Sequence, residues 1–380
     1  MGTAIFRFLF RFLLIALFLL CICAAYFSFW PVPISPASWQ APKDNGLVES
    51  FKQNEKSKAL RRIPMADDYG PEDLAISASG VIAVSSHSGN ILRKRPSDTQ
   101  FEVWVNTVGR PLGIEYDSDD NLLVADAHRG LLKIDVAGTV SVLVDKVEDG
   151  GKDTAVVFAD DVDIADNGMV YFTDATSKFA AQDYGGTLKA SMLEIMEHRG
   201  NGRLIEYNPV TGASTVIMDA LIFANGVAIS NNGDSVLVNE TGKYRVLRYW
   251  LKGVNKGRVT VFMDNLPGFP DNISTTKEGD YWLGFAAPRS SMIDELSASP
   301  FLRKAIMRMP AALRPSAEAL GHVIKVSSTG EVLQSLQSAE GGYAFTTGAL
   351  QTADGLYISS LTEPSIGFIP SAEMPFEDSE

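Results

Sequence analysis

One pattern repeats six times along this chain, and repetition at such a period leaves few folds open. The pattern is an apolar alternating strand, a polar turn and a second strand rich in Val, Ile and Tyr. Its copies are "EDLAISASGVIAVSS" (72–86), "LGIEYDSDDNLLVADA" (112–127), "DDVDIADNGMVYFTDA" (160–175), "NGVAISNNGDSVLVNE" (225–240), "DNISTTKEGDYWLGF" (271–285) and "TGALQTADGLYISSL" (347–361). The turns hold Gly80, Asn121, Gly168, Gly233, Gly279 and Gly355, residue types that adopt the positive φ a tight hairpin needs. Third and fourth strands follow several copies, as in "LLKIDVAGTVSVLV" and "GRLIEYNPVTGASTVIM". A two-sheet sandwich would not need this period. The pattern predicts an all-β, six-bladed β-propeller over 61–370.

A bare blade takes about 40–50 residues. The intervals from Gly168 to Gly233 and from Gly279 to Gly355 are longer, so blades 3 and 5 carry insertions, at roughly 177–200 and 286–320. Both have helix-compatible spacing and several Met. Each falls between the second and third strands of its blade. The first strand starts on one face of the ring and the second returns to it, so both insertions are expected to roof that face.

Residues 12–30 carry no charge, about the length needed to span a hydrocarbon core. Arg7 and Arg11 precede them and an acidic domain follows, which puts the N-terminus in the cytoplasm and the propeller outside. Residues 1–30 are therefore read as a single-pass anchor, 31–60 as stalk and lead-in, and 371–380 as an acidic tail. A cleaved signal peptide, with a secreted product, is the rival reading. Both cysteines, Cys21 and Cys23, lie in this segment, so the domain has neither disulfide nor thiol nucleophile. The net charge of −13 excludes a nucleic-acid partner, whose phosphates it would repel.

Counting back eight residues from the turn glycine reaches the start of each first strand. That position holds Glu72 in blade 1, Asp160 in blade 3, Asn225 in blade 4, Asp271 with Asn272 beside it in blade 5, and Thr347 in blade 6. The turn of blade 2 is one residue longer, and its equivalent is Leu112. First strands line the channel of a propeller, so Glu72, Asp160, Asn225, Asp271 and Asn272 are expected to converge. Facing carboxylates repel unless a cation separates them or their pKa values rise. Carboxylate and amide oxygens without Cys or His suit Ca²⁺, with Mg²⁺ second because it demands stricter octahedral geometry.

The stretches "GPEDLAIS", "PLGIEYDSDDNLLVADAHRGLLKID", "DVDIADNGMVYFTDATSKF", "FANGVAIS" and "GFPDNIS" resemble the strictosidine-synthase-like branch of the calcium-dependent six-bladed propellers. That superfamily includes the adipocyte plasma-membrane-associated proteins, the gluconolactonases and the paraoxonases. The resemblance implies calcium at the channel and, in hydrolytic members, lactone or aryl-ester hydrolysis. It places ligands on Glu72, Asn225 and Asp271, with Asp160 where the family usually has Asn. The His that paraoxonases use is Leu112 here, and the Glu of strictosidine synthase falls near Thr347–Gly348. Alkaloid-forming condensation is therefore not expected.

The expected reaction is metal-assisted hydrolysis of an ester or lactone, with Asp271 as first candidate for the general base and His128, in "ADAHRG", as second. No G-x-S-x-G elbow is present, which argues against a serine hydrolase. The alternative is a membrane-tethered binding propeller whose calcium is purely structural.

Overall fold

The computed structural model describes residues 2–314, 316–338 and 342–375. Six sheets, antiparallel but for one parallel pair in the third, are arranged around one axis. Their innermost strands are Leu74–Ile76, Pro111–Tyr116, Ala159–Ile164, Ala224–Ile229, Gly268–Thr275 and Thr346–Gln351, and each touches the next until the sixth meets the first. The expected six-bladed propeller is the observed fold.

The second strand of each blade reads as a buried run rather than an alternation; Ile82–Ser85, Leu122–Asp126 and Ser235–Glu240 are buried throughout. Both faces of such a strand are covered by neighbouring blades, which explains its Val, Ile and Leu. Hydrophobic wedges fill the spaces between blades: Ile114 and Val124 pack on Ala83 and Ile91, and Phe172 and Ile205 pack on Leu123 and Leu131. The outermost strands, such as Val259–Met263, are largely exposed.

The ring is closed by a strand from the other end of the chain. Arg61–Pro64 pairs antiparallel with Ser365–Pro370 and becomes the outermost strand of blade 6. A further hairpin, Lys146–Asp149 with Lys152–Ala155, extends blade 3 to six strands. Neither is legible as part of the repeat. In blade 2 the left-handed turn residue is Asp120 (φ 59°) rather than Asn121, whose side chain instead bonds the carboxylate of Asp117.

Helix α1 (Gly2–Phe29) is long and apolar enough to cross a membrane, and its apolar side chains are exposed. The insertion of blade 3 contains α2 (Thr187–Glu197); that of blade 5 contains α3 (Ser291–Glu295) and α4 (Pro300–Arg308). Residues 31–42 run over these insertions as a strap, and the chain then packs on Val332–Ser338. Ile34 is buried, the Ala37 amide donates to the Glu197 carbonyl at 2.8 Å, and the Trp39 ring stacks 3.9 Å from that of His198. Arg308 of α4 donates to the carbonyls of Phe27 (2.8 Å) and Trp30 (2.6 Å), tying the end of α1 to this roof. Of the tail, Ser371–Glu373 forms one 3₁₀ turn, and residues 376–380 lie outside the described residues.

Candidate metal centre

Strand register fixes which residues are equivalent. Leu74, Ile114, Val162, Val227, Ile273 and Ala349 pair with the corresponding position of strand two in blades 1 to 6. Two residues before them stand Glu72, Leu112, Asp160, Asn225, Asp271 and Thr347, the positions expected from turn counting. In blades 2 to 6 the pairing slips here, so two inner-strand residues face one residue of strand two. Such a bulge twists the strand and re-aims its side chains.

Polar residues of the first and second strands hold the bulges in place. The Asp161 amide donates to Thr173 Oγ1 at 3.0 Å, and that hydroxyl donates to the Asn225 carbonyl at 2.7 Å. Asn239 Nδ2 donates to the Asp271 carbonyl at 2.5 Å, and Thr347 Oγ1 to the Glu72 carbonyl at 2.6 Å. Glu72, Asn225 and Asp271 are thus each braced by a neighbouring blade. The residue after each ring position alternates around the axis: Asp73, Asp161 and Asn272 in the odd blades, Gly113, Gly226 and Gly348 in the even ones. The glycines make room, since a Cβ on Gly113 would lie 2.1 Å from Asp161 Oδ1, and one on Gly226 would lie 2.8 Å from Asn272 Cα.

All five expected donors are buried, none more than 4% exposed. Asn272 Nδ2 donates to Glu72 Oε1 at 3.0 Å, and Asn225 bonds the Asp271 carboxylate. Four oxygens of this group have no partner: Glu72 Oε2, Asp160 Oδ2, Asn225 Oδ1 and Asn272 Oδ1. A buried oxygen without a donor costs about 1–3 kcal/mol, more when it is charged, so four together mark a site built for something else. Burial pushes the Glu72 carboxyl up to about 7. Burial, and then the neighbouring charges of Glu72 and Asp271, hold Asp160 well above its usual range; burial and Glu72 do the same to Asp271.

Among the described residues no three His, Cys, Asp or Glu side chains form a ready metal cage. The ring needs its amides as well as its acids. Hard oxygens, both anionic and neutral, with orphaned lone pairs and no nitrogen or sulfur, fit a hard divalent cation.

Above the ring, Phe158, Phe223 and Phe269 stand two residues before Asp160, Asn225 and Asp271 and join the core of the roof. Phe158 and Phe223 meet edge to face at 5.7 Å. The expectation that the two insertions cover this face holds. His128 lies elsewhere: it lines a cavity of about 450 Å³ with Lys146, Val156 and Gln182, and none of the ring residues borders it. Sequence reasoning missed Arg110, which is buried beside Glu72 and Asp160. Its signal was present, because it occupies in blade 2 the register position that Phe158, Phe223 and Phe269 occupy in later blades.

Fold and ring together define a six-bladed propeller with an oxygen-lined axial site. Sequence comparison gives the family. The strictosidine synthase model matches residues 160–254, and the strictosidine synthase-like N-terminal model matches residues 50–94. Adipocyte plasma membrane-associated protein from Salmo salar is 32% identical over 355 residues, covering 87% of this chain and 83% of the relative. The Homo sapiens protein of that name is 30% identical over 355 residues, covering 88% and 82%. The chain belongs to the adipocyte plasma membrane-associated protein family of strictosidine synthase-like propellers. Among solved structures, a gluconolactonase from Xanthomonas campestris superposes with a TM-score of 0.60 at 16% identity, over 89% of this chain and 98% of that one. A calcium-binding protein, regucalcin, from Agrobacterium tumefaciens gives 0.57 at 15%, over 84% and 96%. At such identity these two share the fold.

Proposed function

We propose that this single-pass membrane protein is a calcium-dependent hydrolase of lactones or aryl esters. The observation that carries the reading is the set of four unpartnered oxygens, three on the equivalent residues Glu72, Asp160 and Asn225 of different blades and the fourth on Asn272, one residue beyond the equivalent Asp271. Glu72, Asp160, Asn225, Asp271 and Asn272 would hold the ion. Bound there, calcium supplies a Lewis acid for a carbonyl oxygen and acidifies a coordinated water.

The chain's own groups do the rest. Asp271, whose carboxyl is raised by burial and by the charge of Glu72, accepts the proton of the attacking water. Asn225, bonded to that carboxylate, orients it. Phe158, Phe223 and Phe269 exclude bulk water, which strengthens every charge interaction beneath them. The gluconolactonase and the calcium-binding regucalcin among the structural relatives support the substrate class and the ion. The membrane assignment rests on helix α1 and on relatives named for the plasma membrane.

Full-length protein in detergent, assayed on a γ-lactone and on phenyl acetate, should turn over only with calcium. Asp271→Ala should abolish that turnover and His128→Ala should leave it; the reverse would move the base to His128. One observation favours a second reading, a binding propeller with structural calcium: the ring lies sealed beneath the roof while the open cavity lies at His128. On that reading EDTA lowers the melting temperature and neither ester is cleaved.

A further inference from the structure

Blade 2 withholds an oxygen from the ring, since Leu112 stands at its position. Two residues earlier it supplies something else. Around the mouth of the channel that register holds Gly70, Arg110, Phe158, Phe223, Phe269 and Phe345 in blades 1 to 6. Four blades place an aromatic ring there, one places no side chain, and blade 2 places a guanidinium. Arg110 is 5% exposed.

Its contacts show where the charge sits. Nη1 donates to the carbonyls of Ser86 (2.9 Å) and Pro111 (2.8 Å), and Nε has no partner. Ser86 follows Ser85, whose carbonyl accepts the Glu72 amide at 3.0 Å, so the guanidinium lies against the backbone that carries Glu72. Asp126 is also near; its carboxylate accepts from the amides of Arg110, His128 and Arg129 and from the Thr107 hydroxyl, and its charge answers the guanidinium second to that of Glu72. Among the described residues no carboxylate forms a direct ion pair with Arg110. A buried arginine satisfied only by neutral carbonyls is expensive unless its charge is answered nearby.

We propose that Arg110 is the fixed counter-ion of the metal ring, supplying from blade 2 a positive charge where the other blades supply ligands or walls. The inference rests on the reading of the ring as a divalent-cation site. Glu72, Asp160 and Asp271 bring three negative charges, a divalent ion two positive ones, and Arg110 the third. Counted over the ring acids, the ion and Arg110, the charges then sum to zero beneath the wall of Phe158, Phe223 and Phe269. In the empty centre Arg110 partly offsets the repulsion among the carboxylates, and it draws the Glu72 and Asp160 carboxyls downward against their burial. It therefore weakens ion binding and stabilises the ion-free protein. One residue does both because both are the same Coulomb term with opposite partners.

The test is calcium titration by calorimetry on full-length protein in detergent, with thermal unfolding in EDTA and in calcium. Arg110→Met should bind calcium on the order of tenfold more tightly, melt lower than wild type in EDTA, and gain more from calcium. Arg110→Lys should stay close to wild type. Arg110→Met combined with Asp160→Asn removes one charge of each sign and should restore both the affinity and the EDTA melting point. If Arg110→Met alone does not fold, the double variant should, and its failure to fold overturns the proposal. Unchanged or weaker calcium binding by Arg110→Met, with wild type binding normally, overturns the counter-ion and leaves the metal site standing. Absence of calcium uptake by every variant, wild type included, sinks the metal reading and this inference with it. Uptake by Arg110→Met alone supports the counter-ion.

Discussion

Two tiers of acids share the central channel, and they are built alike but finished differently. In the lower tier, Asp73 Oδ2 accepts the Ile114 amide at 2.8 Å, Asp161 Oδ2 the Val227 amide at 2.7 Å, and Asp163 Oδ2 the Ile229 amide at 2.7 Å. Each bond runs from one blade to the next, stitching inner strands together. In the upper tier, Glu72, Asp160 and Asn225 each keep an oxygen without a donor, as does Asn272 one residue beyond Asp271. Both tiers have strongly raised carboxyls, so a perturbed pKa does not tell them apart. The unsatisfied acceptor does. Structural acids find main-chain donors, whereas acids kept for a ligand are left waiting for one.

The comparison can be broken most severely at the glycines that give the lower tier its room. Gly113→Ala would press a methyl group onto Asp161, and a loss of about 3 kcal/mol is expected from such overpacking. An unchanged urea midpoint would refute the alternation of Asx and Gly around the axis.

Next in size, the tiers should respond differently to calcium. At free calcium a hundredfold above Kd, binding adds about 2.7 kcal/mol of stability. EDTA should remove that gain from wild type, and Glu72→Gln should lose most of it. Asp161→Ala, which orphans the Val227 amide, should cost about 1–3 kcal/mol with or without calcium. Thermal melts of the three proteins in both buffers check this. Equal calcium sensitivity in Glu72→Gln and wild type would erase the distinction.

The smallest effect sharpens the lower tier alone. Burial raises the Asp163 carboxyl from 3.8 to about 6, despite its bonds to the Ile229 and Ile164 amides. Between those values the folded protein keeps a proton that the unfolded chain has released. That group's contribution is therefore most favourable below pH 4, declines as the pH rises to about 6, and is level above it. Melts of metal-free wild type and Asp163→Asn across this window should diverge, with the variant flatter.

The repeat, the six blades and both insertions were legible because strand alternation and turn glycines are local signals. The ring positions were legible for the same reason: Glu72, Asp160, Asn225 and Asp271 sit at a constant distance from the turn. Arg110 is not legible in the same way, because it is no oxygen donor and a cation at the neighbouring register carries no meaning until the register is known. Arg61–Pro64 could not be read as a strand, for "RRIP" is short, mostly exposed and owes its conformation to a partner about three hundred residues away.

That distant pairing fixes the order of assembly. Blades 1 to 5 draw all their strands from consecutive chain and can form before the chain is complete, but the sixth must recruit its outer strand from residues 61–64. The first part of the domain to reach the far side of the bilayer is thus the last to find its place, waiting until residues 365–370 have been made. Any truncation that removes them would leave an open ring with a bare strand edge.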